Sequence, residues 1–179
     1  MKQNLVKISK YFSYVLRHKP DAIALELDLE GWAAIAELIA KTTDFELTRE
    51  IIESVVETDD KQRFCISDDG KRIRANQGHS IQVDLGLSPL SPPEFLWHGT
   101  AHRFVESIMR VGLIKKNRHH VHLTESLAVA KAVGSRYGQP VILKIAAQEM
   151  HQNGYEFFKT INNVWLVDNV ASEFIKIES

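Results

Sequence analysis

Residues 85–94 read LGLSPLSPPE, and the prolines at 89, 92 and 93 leave neither a helical nor a strand period in that stretch. It reads as a linker, and the chain on either side of it is patterned differently. Before it, residues 4–18 place Leu5, Ile8, Phe12, Val15 and Leu16 at intervals of three and four, the spacing of a helix with one buried face. Leu25, Leu27 and Leu29 then alternate with acids as in a short strand. A second helix follows EGW and carries Ile35, Leu38 and Ile39; a third starts after Thr48, a natural N-cap, with Ile51, Ile52, Val55 and Val56 on its apolar face. RFCISDDGKRIRA has the form of a hairpin turning at Asp69 and Gly70. Helices followed by a hairpin predict a winged-helix-like lobe over residues 1–84.

Beyond the linker, residues 95–179 mix short strands with helices. EFLWH reads as a strand leading into a helix over GTAHRFVESIMRVG, with Phe104, Val105, Ile108 and Met109 inward and Gly112 as its stop. HVHLT feeds the helical pattern ESLAVAKAVGSRYG, and PVILKI, VWLV and EFIKI are further strands. The fold class expected for the whole chain is α+β.

A chain of 179 residues with 44% hydrophobic content can fill one ordinary core or two small ones. Its 22 Lys+Arg against 23 Asp+Glu give a formal charge of −1, so any anion site is local. The single cysteine, Cys65, excludes an internal disulfide and a multi-cysteine zinc site, and it suits a reducing compartment. No apolar run has the length of a membrane span, and the N-terminus lacks a signal-peptide core, so the expectation is a cytoplasmic protein away from membranes.

Neither G-x-x-x-x-G-K-[ST] nor G-x-G-x-x-G is present, and no nucleophile elbow marks a Ser, His and Asp triad. What stands out is arginine beside histidine. Arg17, His18 and Lys19 in YVLRHKP precede Pro20, and taken alone they read as a helix stop whose cations face the negative dipole end; only company elsewhere in the chain makes them a site. Lys61 and Arg63 in DDKQRF either offset Asp59 and Asp60 or bind an anion. Arg118 opens RHHVH, where His120 and His122 share one face of a strand. Those histidines suggest a metal, but a third close ligand and supporting carboxylates are missing from the neighbourhood in sequence. Neutral imidazole also suits a nucleotide pocket. Three guanidiniums and an imidazole brought to one point would grip a phosphate dianion through paired charge-assisted bonds.

The ordered run SKYFSYVLRHKP, GW, DDKQRF, IRANQGHS, WHGT, GLIKKNRHHVHLT, VGSRYGQPVIL and NVWL, spread over nearly the whole chain, resembles the RNA 2′-phosphotransferase family. That resemblance implies an N-terminal winged-helix RNA lobe and a C-terminal lobe of the ADP-ribosyltransferase fold. It implies removal of a splice-junction 2′-phosphate from tRNA with NAD consumed as co-substrate and no metal. The family's catalytic residues match Arg17, His18, Arg63 and Arg118, with Lys61 and His79 as support for the substrate phosphate. NAD contacts fall on His98, Gly99, Thr100, His122, Thr124 and Arg136, Gly99 by close backbone approach to the ligand. Many protein-modifying relatives of the fold carry a late-strand glutamate, whereas VWLV has no acid, in keeping with an acceptor that is already an anion. The family often has serine where this chain has Thr124, and the hydroxyl is retained. The expected partners are 2′-phosphorylated RNA and NAD, and the expected state is a monomer. Rival readings are an ADP-ribosyltransferase acting on other phosphate acceptors, a non-catalytic winged-helix regulator, and a metal-dependent nuclease or phosphodiesterase.

Overall fold

The computed structural model describes residues 2–178, which form two compact units, Met1–Gly86 and Leu87–Ser179. Each unit has its own apolar core, and the chain is α+β.

In the first unit α1 (Lys2–Arg17) turns Ile8, Phe12, Val15 and Leu16 into the core, where they are at most 6% exposed. Pro20 ends it as expected: Lys19 leaves helical geometry at φ −141°, and a 3-10 turn takes Pro20–Ile23. β1 (Ala33–Ala34) runs directly into α2 (Ile35–Lys41), and α3 (Arg49–Glu57) starts at Thr48, whose side chain accepts the Ile51 N–H. β2 (Phe64–Ile66) and β3 (Arg72–Ala75) make the hairpin, and β1 adds to β3, giving an antiparallel sheet in the order β1-β3-β2. Gly70 turns that hairpin at φ +70°, with its N–H bonded to the Ser67 carbonyl. Phe12 meets Phe64 edge-on at 5.8 Å, locking the hairpin to α1.

The strand expected through Leu25, Leu27 and Leu29 does not form. Leu27 makes one bridge to Ala33, and Leu29 is 87% exposed. The Asp28 carboxylate accepts from the Glu30 and Trp32 N–H groups, and Gly31 takes φ +84°, so a side-chain-driven turn replaces the ladder.

In the second unit β4 (Leu96–Ala101) is followed without a break by α4 (His102–Val111), β5 (Leu113–Ile114), β6 (Val121–Leu123) and α5 (Leu127–Ser135). Next come β7 (Pro140–Ile145), α6 (Ala147–Gln152), β8 (Phe158–Lys159), β9 (Trp165–Val167), β10 (Asn169–Val170) and, after a 3-10 turn at Ser172–Phe174, β11 (Ile175–Ile177). The strands pair antiparallel as β11-β7-β4, β6-β9-β8 and β10-β5. A two-way Trp97 to Thr124 backbone bridge, at 2.8 and 2.9 Å, joins β4 to the end of β6. Residues 87–94 belong to this unit: the Leu90 N–H bonds to the Phe157 carbonyl, and the Glu94 carbonyl accepts from Gln148. The strand expected over EFLWH extends through Gly99, Thr100 and Ala101, and α4 therefore begins later than its sequence pattern suggested.

The inward face expected of α4 is also narrower. Ile108 packs on the core and Val105 is half-buried, but Phe104 and Met109 lie at the surface. Periodicity fixes which residues share a face; only the neighbouring elements fix how much of that face is covered. Among the described residues no helix is long and apolar enough to cross a membrane.

Candidate active site

In the first unit the residues put forward from the sequence gather where the C-terminus of α1 meets the open end of the hairpin. The Arg17 carbonyl, one of the orphan acceptors of the helix end, takes the Ser80 N–H at 2.9 Å and the Ile81 N–H at 3.4 Å. The segment that leaves β3 is thereby tied across the helix terminus. Gly78, at φ +85°, brings its backbone against the Arg17 side chain, with 3.5 Å between a built Cβ and the guanidinium carbon. On another side the guanidinium lies 5.8 Å from the Phe64 ring. His18 Nδ1 bonds to the Ser80 hydroxyl at 2.9 Å. Asn76, Gln77, Gly78 and His79 are buried in succession, and the Asn76 Oδ1 and Gln77 Oε1 atoms have no hydrogen-bond partner in the structure.

Arg63 is held by a carboxylate that the sequence suggested only as a neutralising neighbour. Asp59, with its side chain 3% exposed, accepts the Arg63 N–H at 2.7 Å through Oδ2 and the Arg63 Nη1 at 2.5 Å through Oδ1. Its Oδ1 also accepts the Lys61 N–H at 3.2 Å, and its carbonyl takes the Gln62 N–H. Asn76 closes the assembly, its N–H on the Arg63 carbonyl and its side-chain amide on that of Gln62. Gln62 sits at φ +45°, a left-handed conformation that this set of bonds holds in place. The Asp59 to Arg63 spacing of four residues was the signal available in DDKQRF.

Asp59 is therefore placed to fix the orientation of Arg63. For an Arg63 that contacts the substrate, as the sequence expectation has it, Asp59→Ala is expected to lower kcat/KM about tenfold or more, because misplaced catalytic groups lose orientation. In an Arg63→Ala background the same change is expected to add almost nothing. A double-mutant cycle on kcat/KM checks this, and additive losses contradict it.

In the second unit His98, half-buried on β4, donates its Nδ1 proton to the His122 carbonyl at 2.9 Å. Nε2 is then an acceptor, and burial, opposed by that hydrogen bond, pushes the imidazole pKa below its usual value. The ring is neutral at physiological pH. Arg118 Nη1 makes a long contact of 3.4 Å with His122 Nδ1. Thr100 is buried at 6% exposure. The Thr124 hydroxyl accepts the Ser126 N–H at 3.1 Å, beside the Ser126 side chain that caps α5, and keeps its own proton to donate. Arg136 is an exposed residue at the C-cap of α5, where a cation also faces the helix dipole. His120 points elsewhere: its ring lies 5.7 Å from Phe158, it lines a cavity of about 540 Å³ with Tyr155 and Asp168, and burial lowers its pKa.

Gly99 has a packing duty. A Cβ there would fall 1.7 Å from the Ala130 carbonyl oxygen and 2.9 Å from the Gly134 nitrogen, both on α5. A Cβ on Gly134 would in turn fall 2.6 Å from the Thr100 carbonyl oxygen. The absent side chain in HGT therefore lets α5 lie on β4, and it is not a ligand that fills the space.

Comparison with known proteins bears on what these residues serve. The sequence profile of the family described as RNA 2′-phosphotransferase, Tpt1 / KptA family, matches residues 3–169. The chain is 54% identical to the "Probable RNA 2′-phosphotransferase" of Acaryochloris marina (strain MBIC 11017), over 99% of this chain and 100% of that protein. It is 52% identical to the protein of the same description from Nostoc punctiforme (strain ATCC 29133 / PCC 73102), over 96% of each. With the one from Escherichia coli O45:K1 (strain S88 / ExPEC) it shares 50% identity over 97% of this chain and 91% of the other. On the extent and level of these matches, the chain belongs to the RNA 2′-phosphotransferase, Tpt1 / KptA family, a family of transferases.

Proposed function

We propose that the chain removes an internal 2′-phosphate from RNA of the tRNA splice-junction type, consuming NAD and using no metal. The observation that carries this reading is the pair of guanidiniums in the first unit, each fixed from behind. Arg17 is set by Gly78 and Phe64, and Arg63 by the buried Asp59. A guanidinium held in place before the substrate arrives costs little to orient around a phosphate dianion. Arg17, Arg63 and Arg118 serve as catalytic phosphate ligands, and Lys61 and His79 support them. The first unit, with three helices and a sheet ordered β1-β3-β2, serves as a winged-helix-like RNA lobe.

The second unit serves as the ADP-ribosyltransferase-like lobe, and its donor set fits NAD. The acceptor at His98 Nε2, the His122 imidazole and the hydroxyls of Thr100 and Thr124 suit ribose hydroxyls and diphosphate oxygens. Gly99 contributes backbone only, and Arg136 the charge for a diphosphate.

NAD supplies an anomeric carbon with a good leaving group. In the first step a phosphate oxygen bonds to that carbon and the glycosidic bond breaks, its electron pair leaving with nicotinamide. The nucleophile is already an anion, so the arginines orient it and no base is needed. In the second step the ribose 2″-hydroxyl gives up its proton as its oxygen bonds to phosphorus, the bond from phosphorus to the RNA 2′-oxygen breaks, and a proton passes to that departing oxygen. The products are 2′-OH RNA and ADP-ribose 1″,2″-cyclic phosphate. His18, held through Nδ1 by Ser80, moves the proton that the departing 2′-oxygen requires. The enzyme works as a monomer in a reducing cytoplasm, where the free thiol of Cys65 is stable.

The test is phosphate loss from a 2′-phosphorylated oligonucleotide, with and without NAD and with excess chelator. Turnover is expected only with NAD and undiminished by chelation. Turnover without NAD contradicts the reading, and its loss to chelator points to the metal-dependent alternative.

A further inference from the structure

α4 presents to solvent residues that its sequence period assigns to the core. Phe104 and Met109 are each 37% exposed, and beside them Val111, which that period did not turn inward, is 56% exposed. The Phe104 ring is not bare. The guanidinium carbon of Arg103 lies 4.7 Å from its centroid and the Lys116 ammonium 5.9 Å. Lys116 reaches it from the segment between β5 and β6, where its own backbone takes φ +52°, uncommon for a residue with a side chain.

Charge is concentrated here as well. Residues 102–119 contain Arg103, Arg110, Lys115, Lys116 and Arg118 against the single acid Glu106, in a chain whose formal charge is −1. Asp168 pairs with Lys115. Among the described residues no salt bridge involves Arg103, Arg110 or Lys116. A surface built to receive another protein is apolar at its centre and depleted in charge. An exposed ring with a guanidinium layered on it and unpaired cations around it has the make-up of a single-strand nucleic-acid platform, where a base stacks and phosphates meet cations. Duplex RNA offers no free base face to such a ring.

We infer that this face of the second unit is a docking strip for the single-stranded RNA that flanks the modified nucleotide. One base stacks on Phe104 and the Arg103 guanidinium, and Arg103, Arg110 and Lys116 hold backbone phosphates. The inference rests on the RNA-directed function proposed above, and it places RNA contacts on a unit to which only NAD and the reacting phosphate were assigned.

The experiment is a fluorescence anisotropy titration of the full chain with a short labelled single-stranded RNA that carries no 2′-phosphate, so that binding is read apart from turnover. Phe104→Ala is expected to weaken binding about tenfold, and Phe104→Trp to restore it, since stacking is worth roughly that much per base and needs only a π-face. The Arg103→Ala, Lys116→Ala double variant is expected to reduce the slope of log affinity against log salt by about 1.4, that is about 0.7 for each lost phosphate contact on a single strand. Blunt duplex RNA should not distinguish Phe104→Ala from wild type. Phe104 is exposed, and circular dichroism checks that the variants are folded. Wild-type affinity in folded Phe104→Ala, failure of Phe104→Trp to restore it, or an unchanged salt slope overturns the inference. Failure of NAD-dependent dephosphorylation by wild-type enzyme sinks the proposed function without altering these titrations, whereas an active enzyme whose RNA binding ignores Phe104 sinks only the docking strip.

Discussion

Arg63→Ala is expected to slow the second chemical step about a hundredfold and the first step far less, so that RNA joined through its 2′-phosphate to ADP-ribose accumulates in a single turnover. In the proposed mechanism the difference follows from where charge develops. During nicotinamide departure positive charge grows on the ribose, and the guanidinium only holds an anionic nucleophile in place. During attack on phosphorus negative charge builds on the phosphoryl oxygens, where loss of one preorganised donor costs roughly 3 kcal/mol. Arg63 is preorganised because Asp59 fixes both its backbone N–H and its guanidinium. Labelled RNA on a denaturing gel reveals the adduct as a slower band. Unreacted RNA with no nicotinamide released would assign Arg63 chiefly to the first step, and wild-type behaviour would remove it from the site.

Gly99→Ala is expected to destabilise the second unit by about 3 kcal/mol or more, a larger loss than an ordinary surface or ligand-contact substitution gives. The added Cβ would sit 1.7 Å from the Ala130 carbonyl oxygen, a backbone atom in the middle of α5 that no rotamer change can move aside. Either α5 lifts from β4 or the unit fails to fold. The resemblance suggests instead that Gly99 serves close approach to NAD, which predicts weaker NAD binding at unchanged stability. Denaturant unfolding of Gly99→Ala beside an NAD titration separates the two. An unfolding midpoint equal to wild type would contradict the packing described for β4 and α5.

The elements that the sequence reveals most clearly are those whose signals are local. The spacing of Ile8, Phe12, Val15 and Leu16, the stop at Pro20, the Thr48 cap and the Gly70 turn each act within a few residues, and each forms as its chemistry requires. What is hidden depends on distant neighbours. Leu29 is lost to the turn organised by Asp28, and Phe104 is left at the surface while Ile108 of the same helix packs on the core. β5, β8 and β10 are pairs of residues, too short to carry a period. Residue types and motif order put forward Arg17, His18 and Arg63 as site candidates, while the contacts that hold them lay outside the motifs' local logic. Ser80 reaches His18 from 62 positions away, and Asn76 reaches Gln62 across the hairpin. Asp59 alone was within reach of inspection, as an acid four residues before Arg63, and its burial at 3% is what distinguishes a clamp from a neutralising neighbour.

The central claim is that phosphate leaves RNA by transfer to the ribose of NAD, and the most direct measurement is a product balance from one reaction. Mass spectrometry of wild-type enzyme with 2′-phosphorylated RNA and NAD is predicted to find one nicotinamide and one ADP-ribose 1″,2″-cyclic phosphate for each RNA 2′-hydroxyl formed. Inorganic phosphate released in that amount, with NAD intact, would contradict it.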